Sequence, residues 1–325
     1  MSGRLLIYGA TGYTGRLVAE RAVEIGLDVT AGGRDPGRTG ALADALGIEP
    51  RAFDVDDTAA VRAALKNVDC LLNVAGPFRD TAHPLIDGCI EAGVHYLDTT
   101  AEFATFVLAE SKNDEAARAG VMVMSGTGWD VVPSDCVALH TAGRVPHAEK
   151  LTIALRVTGG FSRGSIASSA GIQDLGTLVR RAGEITRLET AETRSFDFGN
   201  GLEQCVPAPM GDLITGGRST GIGNIEVFLG TDAGFPDVDD SAAGPTAEER
   251  AQGRYLALAE VTGRDGQVAR SLIDTPTGYT FTQLSSVEIA RRVLGGHFTS
   301  GFQSPASAYG PGLATSIADT HIVDL

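Results

Sequence analysis

The chain opens on a short apolar run, Arg4 to Tyr8, that ends in glycine, after which Leu17, Val18, Ala22, Val23 and Ile25 fall at helical spacing until Gly26. This is the pattern of a strand, a tight turn and a helix with one apolar stripe. The unit then repeats. Asp28 to Gly33 predicts a second strand, and Thr39 to Leu46 a second helix stopped by Gly47. Further strands are predicted over Pro50 to Phe53, Val68 to Ala75, His95 to Leu97 and Val121 to Ser125, with helices over Thr58 to Lys66, Pro84 to Ala92 and Phe103 to Ala119. Six strands alternating with helices imply a parallel sheet with right-handed crossovers, the doubly wound Rossmann arrangement.

After about residue 126 the rhythm changes. Lys150 to Thr158 alternates as a longer strand, and Ser168 to Ala182 reads as a helix. Tyr255 to Thr262 and Gln267 to Ile273 flank Gly263-Arg264-Asp265-Gly266, the pattern of a hairpin. Thr231 to Thr246, rich in Asp, Gly, Pro and Ser, reads as a surface loop. The fold class expected is therefore α/β, with a second α+β domain built on a largely antiparallel sheet. A chain of 325 residues exceeds the usual size of one core. The pattern places the first domain at residues 1–127 and the second at 128–325, with room for the C-terminal segment to pack back on the first.

Charge and cysteine usage narrow the function classes. A net charge of −15 with no basic cluster repels phosphate backbones, so nucleic acid is not an expected partner. Only Lys66, Lys112 and Lys150 among the 26 basic residues are lysines, the codon bias of a GC-rich, bacterial genome. Cys70, Cys89, Cys136 and Cys205 form no C-x-x-C pair and predict buried free thiols. With no leader pattern and no apolar run near the length of a membrane span, membrane insertion is not expected and the cytoplasm is the expected location.

The first turn carries the most chemistry. Gly9-Ala10-Thr11-Gly12-Tyr13-Thr14-Gly15 follows a strand and opens a helix, where bare amides and the helix N-terminus can face a diphosphate. The next strand ends in Gly32-Gly33, where an enzyme selective for NAD presents an acid to the ribose hydroxyl. Here Arg34 and Arg38 follow, and guanidinium groups suit a 2′-phosphate, so NADP(H) is the expected cofactor; the alternative is that Asp35 takes the hydroxyl. Asp54 and Val55 end the third strand where an adenine would lie; the alternative is a helix-capping aspartate, a role for which Asp56 or Asp57 is better placed. Ala75, Gly76, Pro77 and Phe78 end the fourth strand in residues small enough to lie along a nicotinamide ribose, and Asp98 and Thr99 end the fifth.

Taken in order, Gly9 to Gly15, NVAGPF (73–78), HYLDTTAE (95–102) and GWDVVPSD (128–135) resemble the strand-end motifs of the saccharopine-dehydrogenase-like NADP-binding proteins, which include trans-acting enoyl reductases. GGFSRGSIASS (159–169), Arg218 to Phe228 and GFQSPASAYG (301–310) are similar to later segments of that family, so the resemblance covers nearly the whole chain. It implies hydride transfer, to a C–N bond in members resembling saccharopine reductases and to a carbon–carbon double bond in others. The stretch from Leu229 to Glu248 is shorter than in the enoyl-reductase branch, which argues against a large lipidic substrate.

Hydride transfer needs a proton donor and no metal. The six histidines show no H-E-x-x-H or Cys/His ligand spacing, and no tyrosine has a lysine four residues on. Asp130, after the sixth strand, is the first candidate for acid or amine binder, with a turn role beside Pro133 as the plain alternative. Arg163 is a candidate for a substrate carboxylate and Tyr279 for a proton donor, against the plain readings of an exposed loop arginine and a packed tyrosine. Three functions remain open: an NADPH-dependent reductase acting on C=N or C=C of a small metabolite, a trans-acting enoyl reductase of a polyketide or lipid pathway, and a non-catalytic NADP(H)-binding redox sensor. A hairpin-bearing second domain also suits a homodimer.

Overall fold

The computed structural model describes residues 3–158, 160–163, 175–190, 192–231 and 244–325. The chain divides into two compact units. The first takes in residues up to Thr100, Ala104–Gly128 and Thr282–Gln303, and the second Ala101–Phe103, Trp129–Phe281 and Ser304–Leu325.

The first unit holds the βα series: β1 (Arg4–Tyr8), α1 (Tyr13–Glu24), β2 (Asp28–Gly33), α2 (Pro36–Leu46), β3 (Glu49–Ala52), α3 (Thr58–Ala64), β4 (Cys70–Asn73), α4 (Phe78–Ala92), β5 (His95–Asp98), α5 (Phe103–Ser111), α6 (Asn113–Ala119) and β6 (Met122–Met124). The first three strands pair in the order β3-β2-β1, and β4, β5 and β6 follow on the other side of β1, all parallel. That reversal of direction at β1 opens a crevice at the carboxyl ends of the strands, where this class of sheet binds ligands. Leu5, Leu6, Ile7, Leu71, Leu72 and Leu97 are fully buried, because a parallel sheet covered on both faces leaves no strand face to water.

The local chemistry ends each helix where it does. Asp35 and Asp57 cap α2 and α3 through their side chains, and Gly47, Gly93 and Gly120 close α2, α4 and α6 in the left-handed conformation. Two predicted helices change. The helix expected to start at Pro84 begins at Phe78 and carries Pro84 inside it; the apolar face of Phe78, Ala82, Leu85, Ile86 and Cys89 outweighs the proline. The single helix expected over Phe103 to Ala119 is broken at Lys112, whose ammonium pairs with Asp87 at 2.7 Å. A seventh strand, β15 (Gly301–Phe302), joins the β6 edge in parallel. It is too short to show a pattern, and the Asn113 side chain sets it by accepting from the Phe302 N–H at 3.1 Å.

The second unit holds α7 (Val132–Ala142), β7 (Ala148–Val157), β8 (Thr177–Arg181), β9 (Glu184–Leu188), β10 (Arg194–Asp197), β11 (Leu202–Pro207), α8 (Asp212–Thr220), β12 (Asn224–Thr231), α9 (Ala247–Gln252), β13 (Arg254–Gly263), β14 (Val268–Pro276), the start of α10 (Gly278–Leu294), α11 (Pro305–Tyr309), α12 (Gly312–Thr315) and β16 (His321–Asp324). Its nine strands form one mixed sheet, mostly antiparallel, with β12 and β7 parallel. The α/β class with a largely antiparallel second sheet is thus what the chain adopts. The hairpin at Gly263 to Gly266 joins β13 to β14, closed by the Gly263 N–H on the Gln267 carbonyl at 2.8 Å. On one face of the sheet, Phe196, Phe198 and Cys205 pack on Ala154, Phe228, Leu256 and Leu258.

The helix expected over Ser168 to Ala182 is corrected in its described part. Thr177 to Arg181 is strand β8, which turns at Ala182-Gly183 into antiparallel β9. Both turn residues have positive φ, 49° and 89°, the geometry that matches strand twist in a two-residue hairpin. Residues 168–174 of that expectation, and 232–243 of the expected loop, lie outside the described residues. The four cysteines are free and buried, as their spacing implied.

Candidate functional site

The turn after β1 is held from two sides. The N–H groups of Gly9 and Ala10 donate to the Gly32 carbonyl at 3.0 and 3.1 Å, and the Gly12 N–H closes the turn on the Gly9 carbonyl at 3.0 Å. Gly9 has φ of +88°, and a Cβ there would sit 2.8 Å from the Ala75 backbone nitrogen, so the turns after β1 and β4 touch backbone to backbone. At Gly15 a Cβ would lie 2.1 Å from the Gly9 carbonyl oxygen. Gly12 differs: it is exposed, it precedes α1 without a side-chain cap, and its Cβ would meet only the Gly9 oxygen, at 3.4 Å. Any side chain at Gly12 would project into open space in front of the helix N-terminus. A diphosphate fits that arrangement, because an anion gains from the helix end and needs the space a Cβ would fill. Thr11, Tyr13 and Thr14 are half-buried around it.

Beyond β2, Arg34, Asp35 and Arg38 are exposed. An Asp35 carboxylate oxygen accepts from the Arg38 N–H at 3.0 Å, so this acid is engaged in capping α2. The Arg38 guanidinium reaches back to the Thr11 carbonyl at 3.2 Å, which ties the cation to the glycine turn. Replacing both Arg34 and Arg38 by alanine is expected to weaken NADPH binding at least tenfold and leave NADH binding within about twofold, measured by fluorescence titration. Equal losses for the two cofactors would refute the assignment.

Asp54 accepts from the Asp56 N–H at 3.1 Å in an exposed turn, and Asp57, not Asp54, caps α3. Val55 is buried. Tyr8, packed on Phe53 at 4.8 Å between ring centres, has its phenol pushed up to about 12 by burial. After β4, Asn73 organises the bend: its amide donates to the Thr81 hydroxyl and to Tyr96, and its oxygen accepts from the Ala75 N–H at 3.0 Å. Gly76 is exposed and Pro77 half-buried at the mouth of this bend, and Phe78 turns inward. Asp98 is turned inward too. Its carboxylate accepts from the N–H groups of Thr100 and Gly126, both at 3.0 Å, and from the Ser125 hydroxyl at 2.8 Å. That side chain ties β5 to the turn after β6, while Thr99 remains half-buried at the strand end.

The second unit holds all three proposed catalytic residues, Asp130, Arg163 and Tyr279. Asp130 is half-buried, and its charge acts on Tyr255, as does Tyr279. Desolvation pushes the Asp130 carboxyl up to about 6. Tyr279 is almost fully buried at the start of α10, and its hydroxyl accepts from the Ser162 N–H at 2.6 Å. Tyr255 was not a sequence candidate, since at the head of β13 it reads as one more strand aromatic. Its ring lies edge-on to Trp129 at 4.7 Å and within 2.8 Å of where a Gly278 Cβ would be. Trp129 is in turn fixed by its indole N–H on the Thr275 hydroxyl at 2.8 Å. Arg163 is exposed one residue after Ser162, and residues 164–174 that follow lie outside the described residues. Among the described residues, no group of three or more His, Cys, Asp or Glu could hold a metal ion.

The family model of the saccharopine dehydrogenase NADP binding domain matches residues 5–124, the stretch that holds the glycine turn and the six predicted strands except the first residue of the first and the last of the sixth. Residues 5–124 are thus similar to a saccharopine dehydrogenase NADP binding domain. NADP(H) is therefore its cofactor. A Mycobacterium tuberculosis protein named as a trans-acting enoyl reductase is 31% identical over 179 residues, covering 50% of this chain and 42% of the relative. A human saccharopine dehydrogenase-like oxidoreductase is 26% identical over 163 residues, covering 43% of this chain and 38% of the relative. The chain spans less than half the length of these curated relatives. In fold it is similar to apo saccharopine dehydrogenase (L-Glu forming) from Saccharomyces cerevisiae, with a TM-score of 0.68 over 99% of this chain and 100% of that one, at 13% identity.

Buried acids around both sites set a pH dependence. Within the NADP binding domain, burial outweighs the hydrogen bonds on Asp98 and pushes it up to about 6. In the second unit burial does the same to Asp130 and Asp135, each to about 6, and to Asp212, to about 7. Each acid binds its proton more tightly folded than unfolded, so each favours the fold below the unfolded value of about 4, and that contribution is lost as pH rises toward 7. Unfolding free energy from urea melts is expected to fall from about pH 5 to pH 7.5; a rise across that range would contradict these shifts. No described helix is long and apolar enough to cross a membrane.

Proposed function

We propose that the chain is an NADPH-dependent reductase that delivers hydride to the C=N or C=C bond of a small metabolite. One observation carries the reading: a carboxyl lifted to about 6 by desolvation, electrostatically coupled to a buried tyrosine, in a chain whose other unit matches an NADP binding domain. On this reading the first-turn amides of α1 after Gly12 hold the diphosphate, Arg34 and Arg38 the 2′-phosphate, and Asp54 with Val55 the adenine. The bend from Ala75 to Phe78 and Thr99 lie along the nicotinamide ribose. When bound, NADPH supplies the hydride.

The chain's own task is the proton. Asp130 is a competent acid near neutral pH because its raised value leaves part of it protonated where an ordinary aspartate is fully ionised. Tyr279 is held by the Ser162 N–H, and it and Asp130 both act electrostatically on Tyr255. The C=N acceptor is favoured over C=C by the charge pattern: the charges of Asp130 and Asp135 both act on Asp212, and no cation is among the causes of the shifts of the three acids. A protonated imine gains from such a field, whereas a carrier-bound acyl group brings a phosphate that the field repels. Arg163 is the proposed contact for a substrate carboxylate.

Following NADPH consumption against panels of imines, ketones and enoyl compounds tests the proposal. Turnover with imines is expected. Tight NADPH binding without turnover in any class would instead favour a redox sensor.

A further inference from the structure

The bend after β4 is held one peptide at a time. The Val74 N–H donates to the Tyr8 carbonyl at 2.8 Å, which fixes the start of the bend to β1. The Ala75 N–H donates to the Asn73 side-chain oxygen at 3.0 Å, and the Ala75 carbonyl accepts from the Thr81 hydroxyl at 2.8 Å. The two holders are tied to each other, because the Asn73 amide donates to the Thr81 hydroxyl at 3.0 Å and to the Tyr96 hydroxyl at 3.2 Å. Asn73 and Tyr96 are fully buried, so the clamp is anchored in the sheet, while Thr81 reaches it from the first turn of α4. Asparagine can play this part and aspartate cannot, since the site uses an acceptor and two donors from one side chain.

The next peptide is left open. Gly76 is exposed, and among the described residues neither its N–H nor its carbonyl has a hydrogen-bond partner. A backbone donor and acceptor standing open beside a peptide gripped on both sides suit a ribose hydroxyl or a carboxamide, each of which both gives and accepts a hydrogen bond. The same bend leans on the glycine turn, since a Cβ at Gly9 would sit 2.8 Å from the Ala75 nitrogen. That turn has its own fastening, the two hydrogen bonds to the Gly32 carbonyl, and does not depend on the clamp.

We infer that Asn73 and Thr81 are positioning residues for the cofactor: they clamp the Ala75 peptide and so aim the Gly76 backbone at the nicotinamide half of NADPH, without touching it themselves. The inference rests on the reading that lays this bend along the nicotinamide ribose. Loss of the Thr81 hydroxyl leaves the Ala75 carbonyl without its donor and lets the Gly76 peptide turn. The adenosine half, which that reading assigns to Arg34, Arg38 and the glycine turn, is indifferent to the loss.

Calorimetric titration of the intact chain with NADPH and with adenosine 2′,5′-bisphosphate, which has the 2′-phosphate but no nicotinamide half, tests this. Thr81→Val keeps the size of the side chain and removes the hydroxyl. It is expected to weaken NADPH binding on the order of tenfold and leave the bisphosphate within about twofold. Thr81→Ser keeps the hydroxyl and is expected to bind NADPH as the wild type does. A merely structural role weakens both ligands alike, and that result overturns the inference, as does unchanged NADPH binding in Thr81→Val. If Thr81→Val does not fold, amide hydrogen exchange in the wild-type chain decides the matter. The Gly76 amide is expected to gain protection with NADPH and not with the bisphosphate, and no gain with NADPH overturns the inference. Gly76→Val separates the two failures: if it loses NADPH while Thr81→Val does not, the bend lies at the cofactor and only the clamp is refuted. If both variants bind NADPH normally, the placement of the bend fails and the inference with it.

Discussion

Replacing Gly15 by alanine is expected to reduce NADPH affinity by more than a hundredfold, about 3 kcal/mol. The added Cβ would sit 2.1 Å from the Gly9 carbonyl oxygen and 2.9 Å from the Ala10 Cα. Both are backbone atoms of the turn, and that turn is pinned to Gly32 by two hydrogen bonds, so no side chain can swing away to relieve the clash. Either α1 slides along the sheet or the turn opens, and each outcome removes the amides from the diphosphate. Gly40 in α2 is the control: nothing lies within 4 Å of its would-be Cβ. Gly40→Ala is expected to bind NADPH normally and to gain up to about 1 kcal/mol of stability from helix propensity. Calorimetric titration of both variants, with melting curves to confirm folding, checks the pair. Near-normal binding by a folded Gly15→Ala would remove the diphosphate from this turn.

Asp130→Asn is the second large effect. Loss of a general acid typically lowers rate by 10²- to 10⁴-fold, and a fall of that size in kcat is expected with the acceptor class that the screen identifies. NADPH binding should be unchanged, because the glycine turn and the two arginines lie in the other unit. Asparagine keeps the size of the side chain and cannot donate the acidic proton, so the loss reads chemistry rather than packing. A kcat within about threefold of the wild type would transfer the donor role to Tyr279 or Tyr255, and Tyr279→Phe and Tyr255→Phe then distinguish the two.

The legible part of the molecule was its local chemistry. The glycine turn and the parallel strands of the first unit follow from short-range rules, since each glycine or cap acts within a few residues of itself. The β13–β14 hairpin was legible for the same reason, its turn residues standing between two alternating runs. Asp130 and Tyr279 could be proposed because one follows a strand end and the other opens a helix. Where short-range signals compete, the reading failed: Pro84 looks like a helix start but is carried inside α4 by an apolar face on both sides of it. Thr177 to Arg181 looks helical by composition but becomes a strand because β9 is there to pair with it and β12 to receive it.

The sequence by itself determined the glycine-rich turn after the first strand of a parallel sheet, because that turn is contiguous and its glycines are required by contacts within a few residues or with the next strands. Only the tertiary structure decided which acids matter. Asp98, at a strand end, is a cofactor-side candidate in the sequence, and Asp212, at a helix start, is not singled out there. In space, Asp98 collects two hydrogen bonds from chain distant in sequence, at Ser125 and Gly126, whereas Asp212 is buried under the like charges of Asp130 and Asp135. Desolvation and like-charge repulsion depend on what surrounds a group in three dimensions, and no run of neighbouring residues encodes that.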